Sequence, residues 1–452
     1  MNRQVDAIVV GMGVGGEEAA GKLAEAGLNV VGIEKELVGG ECPYWACVPS
    51  KMMIRAADLL AEARRIPGMA GESTVAPDWG PVALRIRKEA TDNWDDRVAV
   101  ERFEKKGGHF VRGAGHLLAP NLVGVDSTTY EASRAVVVAT GSSPSIPPIA
   151  GLDSVRFWTN REAVKVEHLP RSLTVLGGGA VGVELAQVFA RFGVKVTVIE
   201  AMSRLLAMEE PEAGETLAMV LRREGVEVLV GAMVKSVESR AEMIVAKLAT
   251  GQEVGGERLL VATGRAANLK GAGLETIGVD VNAKAIQVDD HLRVQDGVWA
   301  LGDMTGKGLF THVAMYQAAV AVEDILGKSG PGADYRALPR ATFTDPEVGS
   351  TGLTEEAARK KGLNVRTSLA KTSSSARGWI HGPGNDGFIK LVQDADRGVL
   401  VGATTMGPRG GDIVSMLELA VQTEVPVDRL RRMIYAYPTF YRGIEDALGG
   451  LK

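Results

Sequence analysis

The chain has 452 residues, of which 45% are hydrophobic and 24% are charged, with a formal net charge of −5. This length allows two or three domains with substantial cores. The small negative charge gives no reason to expect nucleic acid or an anionic membrane as a partner. No apolar run reaches the length of a membrane span, and the N-terminus has no signal-peptide pattern. We therefore expect a cytoplasmic protein.

The first predicted unit is a strand, a glycine-rich turn, a helix and a second strand. These are residues 7–10, 11–16, 17–26 and 30–34 in turn. In a Gly-x-Gly-x-x-Gly turn the first glycine permits the tight turn, and the second lets the backbone approach a pyrophosphate. The third lets the helix pack on the strand, and a following acidic residue binds ribose hydroxyls. The pattern predicts a dinucleotide site made by Gly11, Gly13, Gly16 and Glu34.

Both cysteines of the chain, Cys42 and Cys47, follow this unit. A pair so close in sequence cannot connect distant parts of a fold, but it suits a disulfide that opens and closes as a two-electron device. Two unrelated core cysteines or half of a metal site are the alternatives. The gap between the cysteines is wider than in the usual zinc site, and no second pair completes one. The residues alone favour a redox pair.

Between the first unit and its repeat, residues 58–110 are predicted to be mostly helical, with an interruption at 67–81. A strand over 135–141, ending in Ala-Thr-Gly, then closes the first lobe. The proline-rich segment 142–153 is predicted to be a linker.

The second predicted unit repeats the first, with a strand over 173–176, a helix over 183–192 and a strand over 196–200. A further Ala-Thr-Gly ending, at 262–264, closes this lobe, and alternating strands and amphipathic helices follow from Pro339 without a third fingerprint. Two dinucleotide sites imply two dinucleotides, for which FAD and a nicotinamide cofactor are the natural pair. The second site is predicted to consist of Gly177, Gly179, Gly182 and Glu200.

With these motifs in this order, the chain resembles the class I flavoprotein disulfide reductases, the family of dihydrolipoamide dehydrogenase, glutathione reductase and mercuric reductase. The resemblance covers essentially the whole length and includes Gly-Gly-x-Cys-x4-Cys-Val-Pro-Ser-Lys, Ala300–Asp303 and Phe343–Glu347. It implies an α/β fold with two Rossmann-like dinucleotide-binding domains, for FAD and NAD, and a C-terminal α+β dimerisation domain. The expected domains are 1–150 with 271–335 for FAD, 151–270 for NAD(P)H and 336–452 for the interface.

The resemblance also implies roles for individual side chains. Cys47 lies against the flavin as the charge-transfer thiol, and Cys42 exchanges with the substrate. Lys51 lies near the flavin N5 and pairs with Glu184, although two solvated helix residues are the alternative. The remaining expected cofactor contacts are Gly115, Thr140, Gly141, Gly264, Asp303, Leu309 and His312.

The expected donor is NADH. Glu200 ends the second strand of its unit, where its carboxylate would repel the 2′-phosphate of NADPH and hydrogen-bond a free hydroxyl. Arg204, four residues on, leaves NADPH as an alternative donor.

The C-terminal motif departs from the family pattern. Disulfide-reducing members carry His-Pro-Thr-x-x-Glu, whose histidine serves the partner's cysteine pair as general acid and base. Here Tyr437 and Arg442 occupy the histidine and glutamate positions. A phenol is a poor base at neutral pH. Arg442 would favour the phenolate, or Tyr437 is only an aromatic wall of the pocket.

These features predict a homodimeric FAD enzyme that passes hydride from NADH through flavin to Cys42–Cys47 and on to a small acceptor. A quinone reductase that uses flavin directly is an alternative, as is a dihydrolipoamide dehydrogenase-like enzyme with an altered proton relay. A poorly cycling redox sensor is a third. No metal site is expected, because the histidines lack ligand spacing. Mercury reduction is not expected, because no cysteine pair lies at the C-terminus.

Overall fold

The structure is a computed structural model, which describes residues 2–328 and 330–451. Within these residues the strands are β1 (Asn2–Val10), β2 (Val30–Glu34), β3 (His109–Arg112), β4 (His116–Ala119), β5 (Leu122–Val125), β6 (Thr128–Val138), β7 (Ser142–Pro144), β8 (Ser172–Leu176), β9 (Lys195–Glu200), β10 (Glu227–Val230), β11 (Val234–Arg240), β12 (Met243–Leu248), β13 (Glu253–Gly256), β14 (Arg258–Val261), β15 (Arg265–Ala267), β16 (Arg293–Gln295), β17 (Val298–Ala300), β18 (Pro339–Thr342), β19 (Glu347–Gly352), β20 (Val365–Lys371), β21 (Phe388–Asp394) and β22 (Val399–Gly407).

The α-helices of the same residues are α1 (Val14–Glu25), α2 (Glu41–Tyr44), α3 (Cys47–Arg64), α4 (Gly80–Arg85), α5 (Arg97–Lys105), α6 (Asn160–Val164), α7 (Ala180–Arg191), α8 (Pro211–Arg223), α9 (Thr311–Ile325), α10 (Glu355–Lys360), α11 (Ala376–His381), α12 (Gly410–Gln422), α13 (Val427–Arg431) and α14 (Gly443–Gly450). A π-helical turn over Ile86–Ala90 continues α4.

The chain forms two compact units. The first contains the chain up to Ser50, Ala83–Ser145 and Gly264–Asp334, and the second contains Lys51–Val82, Ile146–Thr263 and the chain from Tyr335. Helix α3 crosses the boundary between Ser50 and Lys51, so its first turn belongs to one unit and the rest to the other.

The first unit is built on a mainly parallel sheet in the order β16-β17-β6-β1-β2-β3, with the β4–β5 hairpin paired to β6. The run from β17 to β3 is parallel. Strand β1 is buried on both faces, because Ile8 and Val10 pack in one hydrophobic cluster. Ala7 and Val9 pack in another, with α1. Burial of both faces explains the nearly continuous apolar sequence of this strand.

The second unit contains a parallel sheet in the order β10-β9-β8-β14, a three-stranded sheet β11-β12-β13 and a five-stranded sheet β18-β19-β22-β21-β20. The five-stranded sheet is antiparallel throughout. The order β10-β9-β8-β14 repeats the order β3-β2-β1-β6 of the first unit, which is the winding expected of two dinucleotide-binding folds.

The structure confirms the two strand–turn–helix–strand units, with β2 over Val30–Glu34 and β9 over Lys195–Glu200. Two predictions of local structure were wrong. The segment 142–153 is not wholly a linker, because β7 pairs with β15. The helical prediction for 58–110 runs too far, because β3 begins at His109 as the edge of the first sheet.

No helix among the described residues is both long enough and apolar enough to cross a bilayer.

Candidate functional site

The two glycine-rich turns have the same geometry. A Cβ on Gly11 would lie 2.4 Å from the Ala139 carbonyl oxygen, and one on Gly16 would lie 1.9 Å from the Gly11 oxygen. The corresponding distances at Gly177 and Gly182 are 2.3 Å to the Ala262 oxygen and 2.0 Å to the Gly177 oxygen. The first and third glycines are therefore required by the fold itself.

The middle glycines have a different reason to be glycine. A Cβ on Gly13 or Gly179 would have nothing within 4 Å. Each residue is the N-cap of its helix, α1 or α7, whose first N–H groups and dipole favour an anion. Open space in front of a helix N-terminus fits the pyrophosphate of a dinucleotide, so both turns fit the expected cofactors.

The two acidic residues after the turns are held alike. The Glu34 carboxylate accepts hydrogen bonds from the backbone N–H groups of Met12 and Glu36, each at 2.8 Å. The Glu200 carboxylate accepts from Gly178 at 2.5 Å and from Met202 at 2.6 Å. These bonds fix each carboxylate at the end of the second strand, beside its turn. The Arg204 guanidinium donates to the Ala207 carbonyl at 3.0 Å.

Asp303 belongs to a polar network in the first unit. Its carboxylate accepts from the Ser142 hydroxyl at 2.5 Å, and the Arg265 guanidinium donates to the same hydroxyl oxygen at 2.7 Å. Arg265 also lies 3.4 Å from the carboxylate of Glu41, the residue before Cys42. Burial raises the pKa of Asp303, although Ser142 and Arg265 act against this. Sequence reasoning missed Glu41, Ser142 and Arg265, because they meet from three distant parts of the chain.

Cys47 is the first residue of α3, and its Sγ lies 3.4 Å from the Thr311 hydroxyl. Thr311 is in turn the first residue of α9. Two helix N-termini therefore converge on this sulfur, and their dipoles favour a negative charge there. Cys42 lies in the short helix α2, and both cysteines are half-buried.

Two tryptophans stack beside the cysteine pair. Trp45, which lies between the cysteines, stacks on Trp94 with ring centres 5.8 Å apart. Trp94 also donates from its indole N–H to the Tyr44 carbonyl at 3.3 Å. Asp92, Asn93 and Trp94 all have positive φ, which is uncommon for residues other than glycine. Sequence reasoning missed the stacking of Trp94 on Trp45, since no local pattern predicts three left-handed residues in a row.

The other expected cofactor residues are spread over the first unit. The Thr140 hydroxyl donates to the Asn268 carbonyl at 2.7 Å, and Gly141 and Gly264 have positive φ. Leu309 is exposed. The exposed His312 ring stacks on Phe310 with centres 5.2 Å apart. A Cβ on Gly115 would lie 3.0 Å from Ile33, so packing on the sheet is itself a reason for glycine there.

Lys51 and Glu184 are brought together in the second unit. Their Nζ and Oε2 atoms lie 2.8 Å apart, and Glu184 is almost fully buried while Lys51 is 35% exposed. The second carboxylate oxygen of Glu184 accepts from the Phe343 N–H at 2.8 Å. The Lys51 ammonium also lies 4.6 Å from the centre of the Phe343 ring.

Tyr437 and Arg442 are in contact through the face of the tyrosine ring. Tyr437 is 69% exposed, and the Arg442 guanidinium lies 5.3 Å from the centre of its ring. The charge of Arg442 is paired with Glu445 at 3.0 Å. Among the described residues the histidine that contacts this segment is His381, whose ring meets Phe440 edge to face at 5.4 Å.

Comparison with known families gives a match over most of the chain. The family described as pyridine nucleotide-disulphide oxidoreductase matches residues 5–320, and its dimerisation domain matches residues 338–448. The chain belongs to this family. It is therefore an oxidoreductase that uses FAD and NAD(P), with a redox disulfide and a dimerisation domain.

Similar proteins of known name agree with this membership of the pyridine nucleotide-disulphide oxidoreductases. The chain is 34% identical to dihydrolipoyl dehydrogenase from Chlorobaculum tepidum, over 98% of this chain and 96% of that protein. It is also 34% identical to dihydrolipoyl dehydrogenase from Mycobacterium tuberculosis, over 99% and 98%.

Two solved structures are similar in fold. The HOCl-induced flavoprotein disulfide reductase RclA from Escherichia coli has a TM-score of 0.87 and 24% identity, with 99% of this chain and 100% of that chain covered. LpdA from Mycobacterium tuberculosis has a TM-score of 0.86 and 25% identity, with 99% of each chain covered.

Proposed function

We propose that this oxidoreductase takes hydride from NADH and reduces a small disulfide or another small oxidant through Cys42 and Cys47. When bound, FAD supplies the step that joins a two-electron hydride donor to a disulfide. The observation that carries this proposal is the position of Cys47, at the N-terminus of α3 and 3.4 Å from the first residue of α9. Such a site favours a reactive thiolate. We place the enzyme in the cytoplasm, where a close cysteine pair suits reversible redox chemistry.

The two fingerprints would divide the cofactors between them. We assign FAD to residues 1–150 and 271–335, with the turn at Gly11–Gly16, Glu34 and Asp303 as its main contacts, and NADH to residues 151–270. Both turns combine an open middle glycine with a helix N-terminus, which supports this assignment. Lys51 would lie by the flavin, since it is one turn after Cys47 in the same helix.

The two thiols would have different tasks. With both reduced, Cys42 attacks one sulfur of the acceptor disulfide, a mixed disulfide forms, and the first acceptor thiol leaves with a proton. Cys47 then attacks Cys42, which re-forms the Cys42–Cys47 disulfide and releases the second acceptor thiol. Two electrons and two protons thus leave the enzyme for each acceptor disulfide. The names of the dihydrolipoyl dehydrogenase relatives make lipoamide the first acceptor to test.

The proposed donor preference rests on Glu200. Its carboxylate is held by two backbone N–H groups at the end of β9, where it suits a free 2′-hydroxyl and repels a 2′-phosphate. Arg204, which would favour NADPH, instead donates to the Ala207 carbonyl. We therefore propose NADH as the preferred donor.

Residues 336–452 would form a homodimer, and Tyr437 with Arg442 would line the acceptor pocket of the partner. We assign them the role of a wall rather than a base. Arg442 contacts the face of the Tyr437 ring, and its charge is already paired with Glu445. The replacement of the expected histidine by Tyr437 also favours a second candidate, the direct reduction of a quinone by the flavin without the thiols.

The test is Cys42→Ser in the FAD-loaded enzyme, assayed with NADH against lipoamide, other small disulfides and quinones. We expect disulfide reduction to fall by at least about a hundredfold, because the nucleophile is removed. FAD content and binding of NADH should be unchanged. A variant that keeps full activity with every acceptor would refute the dithiol route, and one that keeps only quinone activity would establish the second candidate for that acceptor.

A further inference from the structure

A buried polar ladder joins α3 to α7 in the second unit. Glu184, Gln187 and Arg191 lie at positions i, i+3 and i+7 of α7 and so share one face. Lys51 and Asp58 lie two turns apart on α3 and face them. The outer rungs are Lys51 to Glu184 at 2.8 Å and Asp58 to Arg191 at 2.7 Å.

The segment 343–345, which follows β18, is bound between these rungs. The side chain of Gln187 binds the backbone of Asp345 in this segment. Its amide group donates to the Asp345 carbonyl and accepts from the Asp345 N–H, each at 2.8 Å. Gln187 is 3% exposed. A buried amide that makes both bonds to one peptide residue fixes the position of that segment, because losing either bond leaves a buried polar group unpaired.

Arg191 holds the side chain of the same residue. Its guanidinium donates to Asp345 at 2.7 Å, and Arg65 donates to the same carboxylate oxygen at 2.5 Å. Arg191 also pairs with Glu224 at 2.7 Å and is 3% exposed. Burial alone would raise the pKa of Asp345, but the two guanidinium groups lower it below its ordinary value, so the carboxylate stays charged.

The held segment ends at the Lys51–Glu184 pair. The Phe343 N–H donates to the Glu184 oxygen that Lys51 does not use, and the Phe343 ring lies 4.6 Å from the Lys51 ammonium. Lys51 is thus oriented by two groups, a carboxylate and an aromatic face. The Phe343 N–H and ring belong to the segment that Gln187 and Arg191 hold at Asp345.

We infer that Gln187 and Arg191 are positioning residues for Lys51, acting through Asp345 and Phe343 and touching no cofactor themselves. The inference rests on the proposed function to the extent that Lys51 is placed by the flavin. A substitution at Gln187 should therefore change the orientation of the Lys51 ammonium, which lies on the neighbouring rung.

The experiment compares the FAD-loaded wild type with Gln187→Met, Lys51→Met and the double variant. Hydrogen–deuterium exchange reports on the Phe343 amide, and spectroelectrochemistry reports the midpoint potential of the flavin. In Gln187→Met we expect the Phe343 amide to exchange at least about tenfold faster, because its segment loses both backbone bonds to Gln187. The flavin potential should fall as in Lys51→Met, since both variants withdraw a positive charge from reduced flavin. The double variant should show no further fall.

Two further variants keep the result interpretable. Val188→Ala removes buried volume from the next position of α7 without touching the ladder, and it should lower thermal stability while leaving the Phe343 exchange and the flavin potential unchanged. Asp345→Asn keeps the backbone bonds to Gln187 but loses its charge, so a smaller rise in exchange is expected. This variant replaces Gln187→Met if that protein does not fold.

Unchanged exchange of the Phe343 amide in Gln187→Met would overturn the inference. So would additive shifts of the flavin potential in the double variant, since they would show that Gln187 acts independently of Lys51. If Lys51→Met leaves the potential unchanged while the Phe343 exchange rises in Gln187→Met, the placement of Lys51 by the flavin is what has failed. That outcome overturns the inference together with this part of the proposed function.

Discussion

Helices α1 and α7 begin alike but differ along one face, which is at the surface in α1 and buried in α7. Each follows a Gly-x-Gly-x-x-Gly turn, and a Cβ on the third glycine, Gly16 or Gly182, would lie at about the same distance from the oxygen of the first. Two residues later each helix has a glutamate. Glu18 pairs with Lys22 of its own helix at 2.9 Å on the surface, whereas Glu184 is buried and pairs with Lys51 of α3.

The difference continues along both helices. Gly21 and Glu25 of α1 stand where α7 has Gln187 and Arg191. Glu25 forms an exposed pair with Lys106 at 3.2 Å, while Gln187 and Arg191 bind Asp345 inside the second unit. The turn is thus the same in both copies, whereas the residues on the next face of the helix differ with the surroundings of each copy.

The largest effect is expected from substitution of the third glycine of each turn. Gly16→Ala and Gly182→Ala should each lower the free energy of unfolding by about 3 kcal/mol, because the new Cβ would lie about 2 Å from a backbone oxygen. Urea denaturation measures this. Equal stability of either variant and the wild type would show that the turn can relax.

The middle glycines are the matched controls. Gly13→Ala and Gly179→Ala place a Cβ in open space, so the free energy of unfolding of the cofactor-free protein should change by less than about 0.5 kcal/mol. Each should weaken its own dinucleotide by about tenfold or more, FAD for the first and NADH for the second. Loss of both cofactors from one variant would contradict the assignment of one dinucleotide to each turn.

Substitution of the glutamates two residues beyond the turns, Glu18 and Glu184, should lower the free energy of unfolding by different amounts. Glu184→Gln should cost on the order of 2 kcal/mol of unfolding free energy, less than a fully buried pair because Lys51 is 35% exposed. Glu18→Gln should cost less than about 0.5 kcal/mol, as expected of a surface pair. Equal costs from chemical denaturation would remove the distinction between the two helices.

The glutamates at the two strand ends, Glu34 and Glu200, should differ in their effect on the choice between NADH and NADPH. Glu200→Gln removes the charge that opposes a 2′-phosphate, so the ratio of kcat/KM for NADPH to that for NADH should rise about tenfold. Glu34→Gln should leave this ratio unchanged, because its unit is assigned to FAD. Steady-state kinetics with both donors measure the ratio, and a constant ratio in Glu200→Gln would contradict the proposed NADH preference.

The stability of the protein should also depend on pH through Asp58. Burial raises the pKa of Asp58 to about 6, and Arg191 counteracts this only in part. The folded protein therefore binds a proton more tightly at Asp58 than the unfolded chain does, and this group adds stability as pH falls from 7 towards 4. Asp58→Asn should show a flatter dependence of unfolding free energy on pH over that range. Identical pH profiles would show that Asp58 titrates normally.

The sequence was sufficient to predict what is local. Both glycine-rich turns are predictable from the glycine spacing, the apolar strands and the acidic residue at the end of each second strand. The structure confirms the strands and helices around them. The C-terminal strands and helices were likewise predicted, because alternation and amphipathicity are short-range patterns.

Contacts between distant segments were not predictable. The bonds from Gln187 and Arg191 to Asp345 join residues more than 150 positions apart, and Arg265 reaches Ser142 in the same way. The linker prediction failed for this reason, since the strand that pairs β7 comes only at residues 265–267. Neither β7 nor β15 has a sequence pattern from which its pairing partner could be predicted.

The central claim is that electrons from NADH reach Cys42 and Cys47. The most direct measurement is to add one equivalent of NADH to the oxidised, FAD-loaded enzyme without oxygen and then alkylate the thiols for mass spectrometry. We predict that Cys42 and Cys47 become alkylated, while the corresponding sample without NADH stays unlabelled. Bleached flavin with both cysteines still unlabelled would contradict it.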